Sequence, residues 1–332
     1  MNHTGFRRWR LRKRWVVLAL LIAPLAAELA LRAYGFGRAI RYRPDTRLGW
    51  MMEPNQRAFN VRGRAPVRIN ALGWRGPEVV IPKPPGTVRL LFFGDGTTMN
   101  NQTREAEIWP VRVASELASR LGHPVESVIA AVAGYQTEQA LEIMRDSARR
   151  LAPDRVVIGF CWNDWAPTTM RGPGLGPQAY GENAGEGGIW RRVALRDFGV
   201  RLGTLLQRRS QFRRLARGEG LPVATQDEDT WSHLQATLDS IATRARSMEA
   251  TCTLVLLPAR VTSFDAAAYA LRAERLRAWA ASRGVAFVDP SPQFAAAAAR
   301  GIDPFLDDLH LGPAGQPLVA EAILSVWEAG TR

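Results

Sequence analysis

Val88-Arg89-Leu90-Leu91-Phe92-Phe93-Gly94-Asp95-Gly96-Thr97-Thr98 is a short, almost wholly apolar run that stops abruptly in a Gly-Asp-Gly turn. Apolar runs of this length bounded by turn residues are what a strand buried on both faces looks like. The pattern recurs. Val125 to Ala131, Arg155 to Phe160, Cys252 to Leu257 and Val285 to Val288 are similar runs, rich in β-branched or aromatic residues and bounded by Gly, Pro or Asp. Between them, Ile108 to Leu121, Thr137 to Leu151, Asp265 to Ser282 and Pro313 to Glu328 carry apolar residues at three- and four-residue spacings, with Gly122 and Gly284 as stops. Strand and helix in alternation predict an α/β fold with a parallel five-stranded sheet. No internal repeat of fixed period is visible, which excludes a solenoid or propeller.

In an open parallel sheet, ligands sit beyond the carboxyl ends of the strands. The residues there form a set: Gly94-Asp95-Gly96-Thr97-Thr98 after the first strand, Ala133-Gly134-Tyr135 after the second, Trp162-Asn163-Asp164 after the third, and Asp307-Asp308-Leu309-His310 before the last helix. Each alone has a plain explanation as a turn, a cap or a surface residue. Their joint order and their placement at strand ends are what single them out.

The set resembles the four sequence blocks of the SGNH/GDSL hydrolases, over about residues 88 to 328. Upstream, Leu48-Gly49-Trp50 with Pro54-Asn55, and Ile69 to Gly76, resemble the segment preceding the domain in membrane-anchored bacterial members. The resemblance implies a three-layer, flavodoxin-like α/β/α fold and acyl-ester chemistry. His310 would be the general base, with Asp307 holding its imidazole. The backbone N–H at Gly96, that of Gly134 and the Asn163 side chain would form the oxyanion hole. It also exposes a departure: where the family has its nucleophilic serine, this chain has Gly96. Thr97 and Thr98 are the nearest hydroxyls, with Thr97 the candidate surrogate nucleophile, and a water activated by His310 is the other surrogate. The expectation is therefore an ester (acyl or acetyl) hydrolase or acyltransferase fold that is catalytically impaired. The alternatives are a pseudo-enzyme that binds an acylated ligand without turnover and, more weakly, a membrane-tethered scaffold.

Ahead of the domain, Trp15 to Ala27 is unbroken apolar sequence, extended past Glu28 by Leu29, Ala30 and Leu31, and preceded by Arg7, Arg8, Arg10, Arg12, Lys13 and Arg14. Basic flanks stay on the cytoplasmic side. Residues 1–14 are accordingly expected as a basic cytoplasmic tail and 15–34 as a transmembrane or signal-anchor, preferred over a cleaved signal. Residues 35–87 are expected as an irregular preamble packed on the domain, and 88–330 as the hydrolase-like domain with a helical insertion over 165–250. That arrangement places the domain on the periplasmic side of the cell membrane, with an acylated glycan or lipid as ligand.

The formal charge of +13 is almost all arginine, since Lys13 and Lys83 are the only lysines. It concentrates at the N-terminus and between Arg191 and Arg217. Without a recognisable nucleic-acid module, the second cluster reads as a solvated or lipid-facing surface, and no nucleic-acid partner is expected. Two cysteines, Cys161 and Cys252, are too few for a disulfide framework or an ordinary zinc site, so no metal or cofactor is expected. They fall at opposite ends of neighbouring strands and are expected as free, buried thiols.

Overall fold

The computed structural model describes residues 3–165, 193–203, 228–260, 266–307 and 310–329. Nine strands and nine helices are named here in chain order. The central sheet comprises β5 (Val88–Gly94), β6 (Val125–Ala131), β7 (Arg155–Phe160), β8 (Thr251–Leu256) and β9 (Ala286–Val288). Its order is β6-β5-β7-β8-β9, and every pairing is parallel. The chain thus steps from β5 to one side and then crosses to the other. This is the flavodoxin-like order, with its switch point between β5 and β7.

Burial explains why these runs became strands. Leu90 to Phe93, Val156 to Ile158 and Leu254 to Leu256 are all fully buried, so both faces of the sheet need cover. One layer contains α3 (Trp109–Leu121) and α9 (Gly315–Ala329). The other contains α4 (Thr137–Asp146), α6 (Glu228–Ser247) and α7 (Ala266–Arg283). Helix α3 has proline in its first turn and stops at Gly122 in the left-handed conformation.

Element boundaries match the sequence reading to within a residue or two, with three differences. The single helix expected over Thr137 to Leu151 breaks at Ser147 into α4 and the short α5 (Ala148–Leu151). Helix α8 (Ser291–Ala299) was not anticipated, because its alanine run lacks any apolar stripe. The preamble is not irregular. It forms two antiparallel hairpins, β1 (Tyr42–Asp45) with β2 (Gly49–Met52), and β3 (Gln56–Asn60) with β4 (Ala65–Ile69). Four- and five-residue strands rich in Arg and Pro are too short to show a period, and it is packing on the domain that orders them.

Within the expected insertion, the Gly-rich loop (171–188) and most of the arginine cluster lie outside the described residues. Residues 194–203 are helical, and the polar helix expected from about Asp227 is α6. Both cysteines are free, Cys161 buried and Cys252 only partly so. Cys252 pairs in register with Val156 at the start of β7, whereas Cys161 follows the end of that strand.

The expected anchor lies within α1 (His3–Tyr34), which contains Pro24. Among the described residues no helix is long and apolar enough to cross a membrane, so the single-pass span is not supported. Glu28 interrupts the apolar run, and its carboxylate accepts the N–H groups of Ala194 and Leu195, both at 2.9 Å. That contact ties the end of α1 to the helical segment 194–203. Trp15, Leu21, Leu25 and Leu29 are exposed.

Candidate active site

Beyond the carboxyl ends of β5 and β6, position 96, Ala133 and His310 come close together. Strand β5 ends at Gly94, with φ of +149°, and Asp95 then caps the one-turn helix α2 (Gly96–Met99), accepting the N–H of Thr97 at 2.7 Å. The close approach of α2 to the sheet demands two glycines. A Cβ on Gly94 would lie 2.2 Å from Thr98 Oγ1, and one on Gly159, its register partner in β7, would lie 2.1 Å away. Thr98 therefore points into the sheet. Gly96 opens α2 with its N–H directed at no acceptor among the described residues.

A side chain at position 96 would point at the histidine. An ideal Cβ there lies 3.6 Å from His310 Nε2 and 3.6 Å from Ala133 Cα and Cβ, with no left-handed φ to oppose it. His310 Nδ1 faces Asp307 Oδ1 at 2.9 Å and Oδ2 at 3.1 Å, and the His310 backbone N–H donates to Oδ1 at 2.8 Å. With Nδ1 held by the carboxylate, the neutral imidazole leaves Nε2 as its basic nitrogen. That atom has no hydrogen-bond partner among the described residues.

Gly134, at φ of +81°, turns the chain after β6. Its N–H likewise meets no acceptor among the described residues. Asn163 lies in the 3₁₀ turn Trp162–Trp165, but its side chain is outside the described residues, as are Asp308 and Leu309 altogether. Thr97 is buried. Trp165 is part of the core, edge-on to Phe160 and stacked on Trp231. His233 pairs with Glu138 at 2.6 Å, on α6 and α4. Among the described residues no cluster of His, Cys, Asp or Glu could hold a metal ion.

The preamble's part in the site was not anticipated. Trp50 Nε1 donates to Ala133 O at 3.1 Å and Tyr135 Oη donates to Trp50 O at 2.5 Å, so β2 grips the turn that carries Gly134. Arg75, fully buried, donates to the carbonyls of Met99, Asn100 and Thr103 just after α2. Asn100 in turn donates to Leu311 O at 2.9 Å, beside His310. Arg62 reaches Asp307 Oδ2 at 2.7 Å. Three of the four loops are thus held from outside the core domain. The signal was present in the sequence as Leu48-Gly49-Trp50 and Trp74-Arg75-Gly76, but nothing there told which loops they would touch.

Asp164 supplies a second tie. Its carboxylate accepts the N–H of Thr137 at 2.8 Å and that of Cys161 at 2.8 Å, locking the ends of β7 and α4 together. Burial, reinforced by Asp95 and Glu138 nearby, pushes its carboxyl up to about 8 against the pull of those two N–H donors. Its folded value is raised, so between about pH 4 and 8 the folded chain keeps a proton that the unfolded chain releases. Stability from this group falls as pH rises through that window, by at most about 1.4 kcal/mol per unit. Urea unfolding at pH 5 and pH 8 should show wild type losing more stability than Asp164→Asn; equal losses would refute the assignment.

Residues 92–318 match the model of the GDSL-like lipase/acylhydrolase family. Among solved structures, TesA is 15% identical, covering 73% of this chain and 98% of that one at a TM-score of 0.44. An acylhydrolase from Bacteroides fragilis, described as putative, is 17% identical over 77% of this chain and 93% of its own, at 0.43. An acetylxylan esterase from Geobacillus stearothermophilus is 14% identical over 72% and 93%, at 0.44. No curated protein matches the chain. The family match spans most of the chain, from the second half of β5 into α9, and the chain belongs to the GDSL-like lipase/acylhydrolase family.

Proposed function

We propose that this domain takes an acyl or acetyl ester of an extracytoplasmic glycan or lipid and that the covalent route of an ordinary serine esterase is closed at Gly96. One observation carries the reading. Two backbone N–H donors, at Gly96 and Gly134, and one basic nitrogen, His310 Nε2, have no partners among the described residues, and position 96 faces both Ala133 and His310 Nε2. Unpaired donors are costly where water is excluded, and aimed together they suit the oxygen of an ester carbonyl. His310 and Asp307 retain the pairing of a working base, but the glycine has no hydroxyl for that base to activate. The resulting protein binds its ester and turns it over poorly. The experiment is a serine-directed phosphonate and a generic acetyl ester offered to wild type and to Gly96→Ser. Robust wild-type turnover abolished by Thr97→Ala would overturn the reading in favour of a threonine nucleophile.

A second reading, a pseudo-enzyme that holds an acylated ligand without any turnover, is favoured by the same missing hydroxyl. It differs only in whether a His310-activated water delivers slow hydrolysis, and His310→Ala separates the two by removing any residual rate.

We further propose that α1 associates with the membrane surface. The exposed Trp15, Leu21, Leu25 and Leu29, behind a basic start, support lipid contact. After cell fractionation the full chain should sediment with membranes and a chain starting at residue 35 should not. Recovery of the full chain in the aqueous fraction would sink this part of the proposal.

A further inference from the structure

The preamble hairpin β3–β4 reaches across the molecule and places a cation on the acidic member of the His310–Asp307 pair. Arg62, in the turn between the two strands, donates through Nη1 to Asp307 Oδ2 at 2.7 Å and through Nη2 to Leu306 O at 2.9 Å. Both donors of one guanidinium fork are therefore spent on the loop that carries the carboxylate. The fork is rigid and planar, so two contacts fix the loop's orientation as well as its distance.

The turn that presents Arg62 is itself docked. Gly63 donates to Asn60 Oδ1 at 2.9 Å, Asn60 Nδ2 donates to Asn101 Oδ1 at 3.2 Å, and a Cβ on Gly63 would lie 1.7 Å from Gln102 O. The backbone of the turn is pressed against the loop following α2, and only glycine permits that approach. Arg62 is anchored at its base and forked at its tip, although half of its side chain meets solvent.

We infer that Arg62 is a positioning residue of the acyl-ester site, acting on His310 through Asp307. It braces the Asp307 carboxylate through Oδ2 while both oxygens face Nδ1, and its charge offsets part of the field the carboxylate exerts on the imidazole. Among the described residues, two further charged groups on the surrounding elements are engaged elsewhere. Asp95, after β5, is turned back onto the Thr97 N–H, and Asp303, on the histidine's own loop, is paired with Arg260. The turn after β6 contributes Ala133 and Gly134, which carry no charge.

The inference rests on His310 and Asp307 being the working pair, but its test requires no catalysis. The imidazole of His310 is titrated by NMR in the full chain, its resonance assigned by loss in His310→Ala. Arg62→Ala should raise the titration midpoint by about half to one pH unit, because the carboxylate's charge is no longer shared. Arg62→Lys, which keeps the charge without the fork, should bring the midpoint most of the way back. In an Asp307→Asn background, Arg62→Ala should shift it little. If Arg62→Ala does not fold, Arg62→Gln, which retains a donor and removes the charge, reads the same upward shift. An unmoved or lowered midpoint in a folded variant would overturn the inference and reduce Arg62 to a surface contact. That result would leave the ester-site reading standing, since the latter is decided by what Gly96→Ser gains.

Discussion

Gly96→Ser should turn an unlabelled protein into one that reacts with a serine-directed phosphonate and hydrolyses a generic acetyl ester at least about 1,000-fold faster than wild type. The magnitude comes from what a serine contributes in a comparable triad. Its removal costs about a million-fold in turnover, while oxyanion donors and binding alone leave roughly 1,000- to 10,000-fold over water. The structure supplies the geometric half of the argument. The backbone at position 96 is one that any residue can adopt, and the nearest atoms to an added Cβ, at 3.6 Å, are in ordinary contact. A hydroxyl one bond further on can come within hydrogen-bond reach of His310 Nε2. The new serine would also start α2, where a small polar residue costs the helix little. Labelling and turnover should both vanish in Gly96→Ser with His310→Ala. A correctly folded Gly96→Ser that stays silent would show that the imidazole is not placed to serve that position.

Position 96 stands out in the sequence for a reason of sheet geometry. A buried parallel strand is a dense local signal: Leu90 to Phe93 cannot be anything but core, and a turn directly after such a run must sit at its carboxyl end. Four turns so placed, on one sheet edge, constrain one another, which is why Gly96, Gly134 and the Asp307–His310 pair could be named together. The preamble obeyed no such logic. Its strands are four or five residues long, and their reason for existing lies in contacts 24 to 245 residues away along the chain, such as Arg75 with Met99 and Arg62 with Asp307. Tertiary packing, not local preference, orders residues of that kind. The break at Ser147 escaped for a related reason, since Ala152 enters the left-handed region to deliver the chain to β7 and no residue type in the stretch announces it. The N-terminal segment shows the opposite failure. Its hydrophobicity was legible, but the role of Glu28 as the acceptor for two N–H groups of the segment 194–203 was not, because the partner lies more than 160 residues away.

Arg75→Ala should destabilise the fold by about 3–5 kcal/mol. The guanidinium is fully buried, and burial holds its pKa down to about 10 against the opposing pull of Glu105, still far enough above neutrality for the group to remain charged. It satisfies three carbonyls, those of Met99, Asn100 and Thr103, in the segment that leads away from α2. Helix α2 has a single turn and cannot hold that segment by its own hydrogen bonds. Truncation to alanine strips all three acceptors of their donor inside the core and opens a cavity where the side chain ran. The damage should also reach the site, because Asn100 donates to Leu311 O and so couples the α2 loop to the loop carrying His310. Arg75→Lys keeps the charge, but a single ammonium cannot span carbonyls that the fork reaches from two nitrogens, so it should recover only part of the loss. Equilibrium urea unfolding measures both variants, and in the Gly96→Ser background the phosphonate labelling rate should fall with Arg75→Ala under conditions where the protein remains folded. A change within about 0.5 kcal/mol would mean that water takes over the three carbonyls and that the preamble does not support the site from beneath.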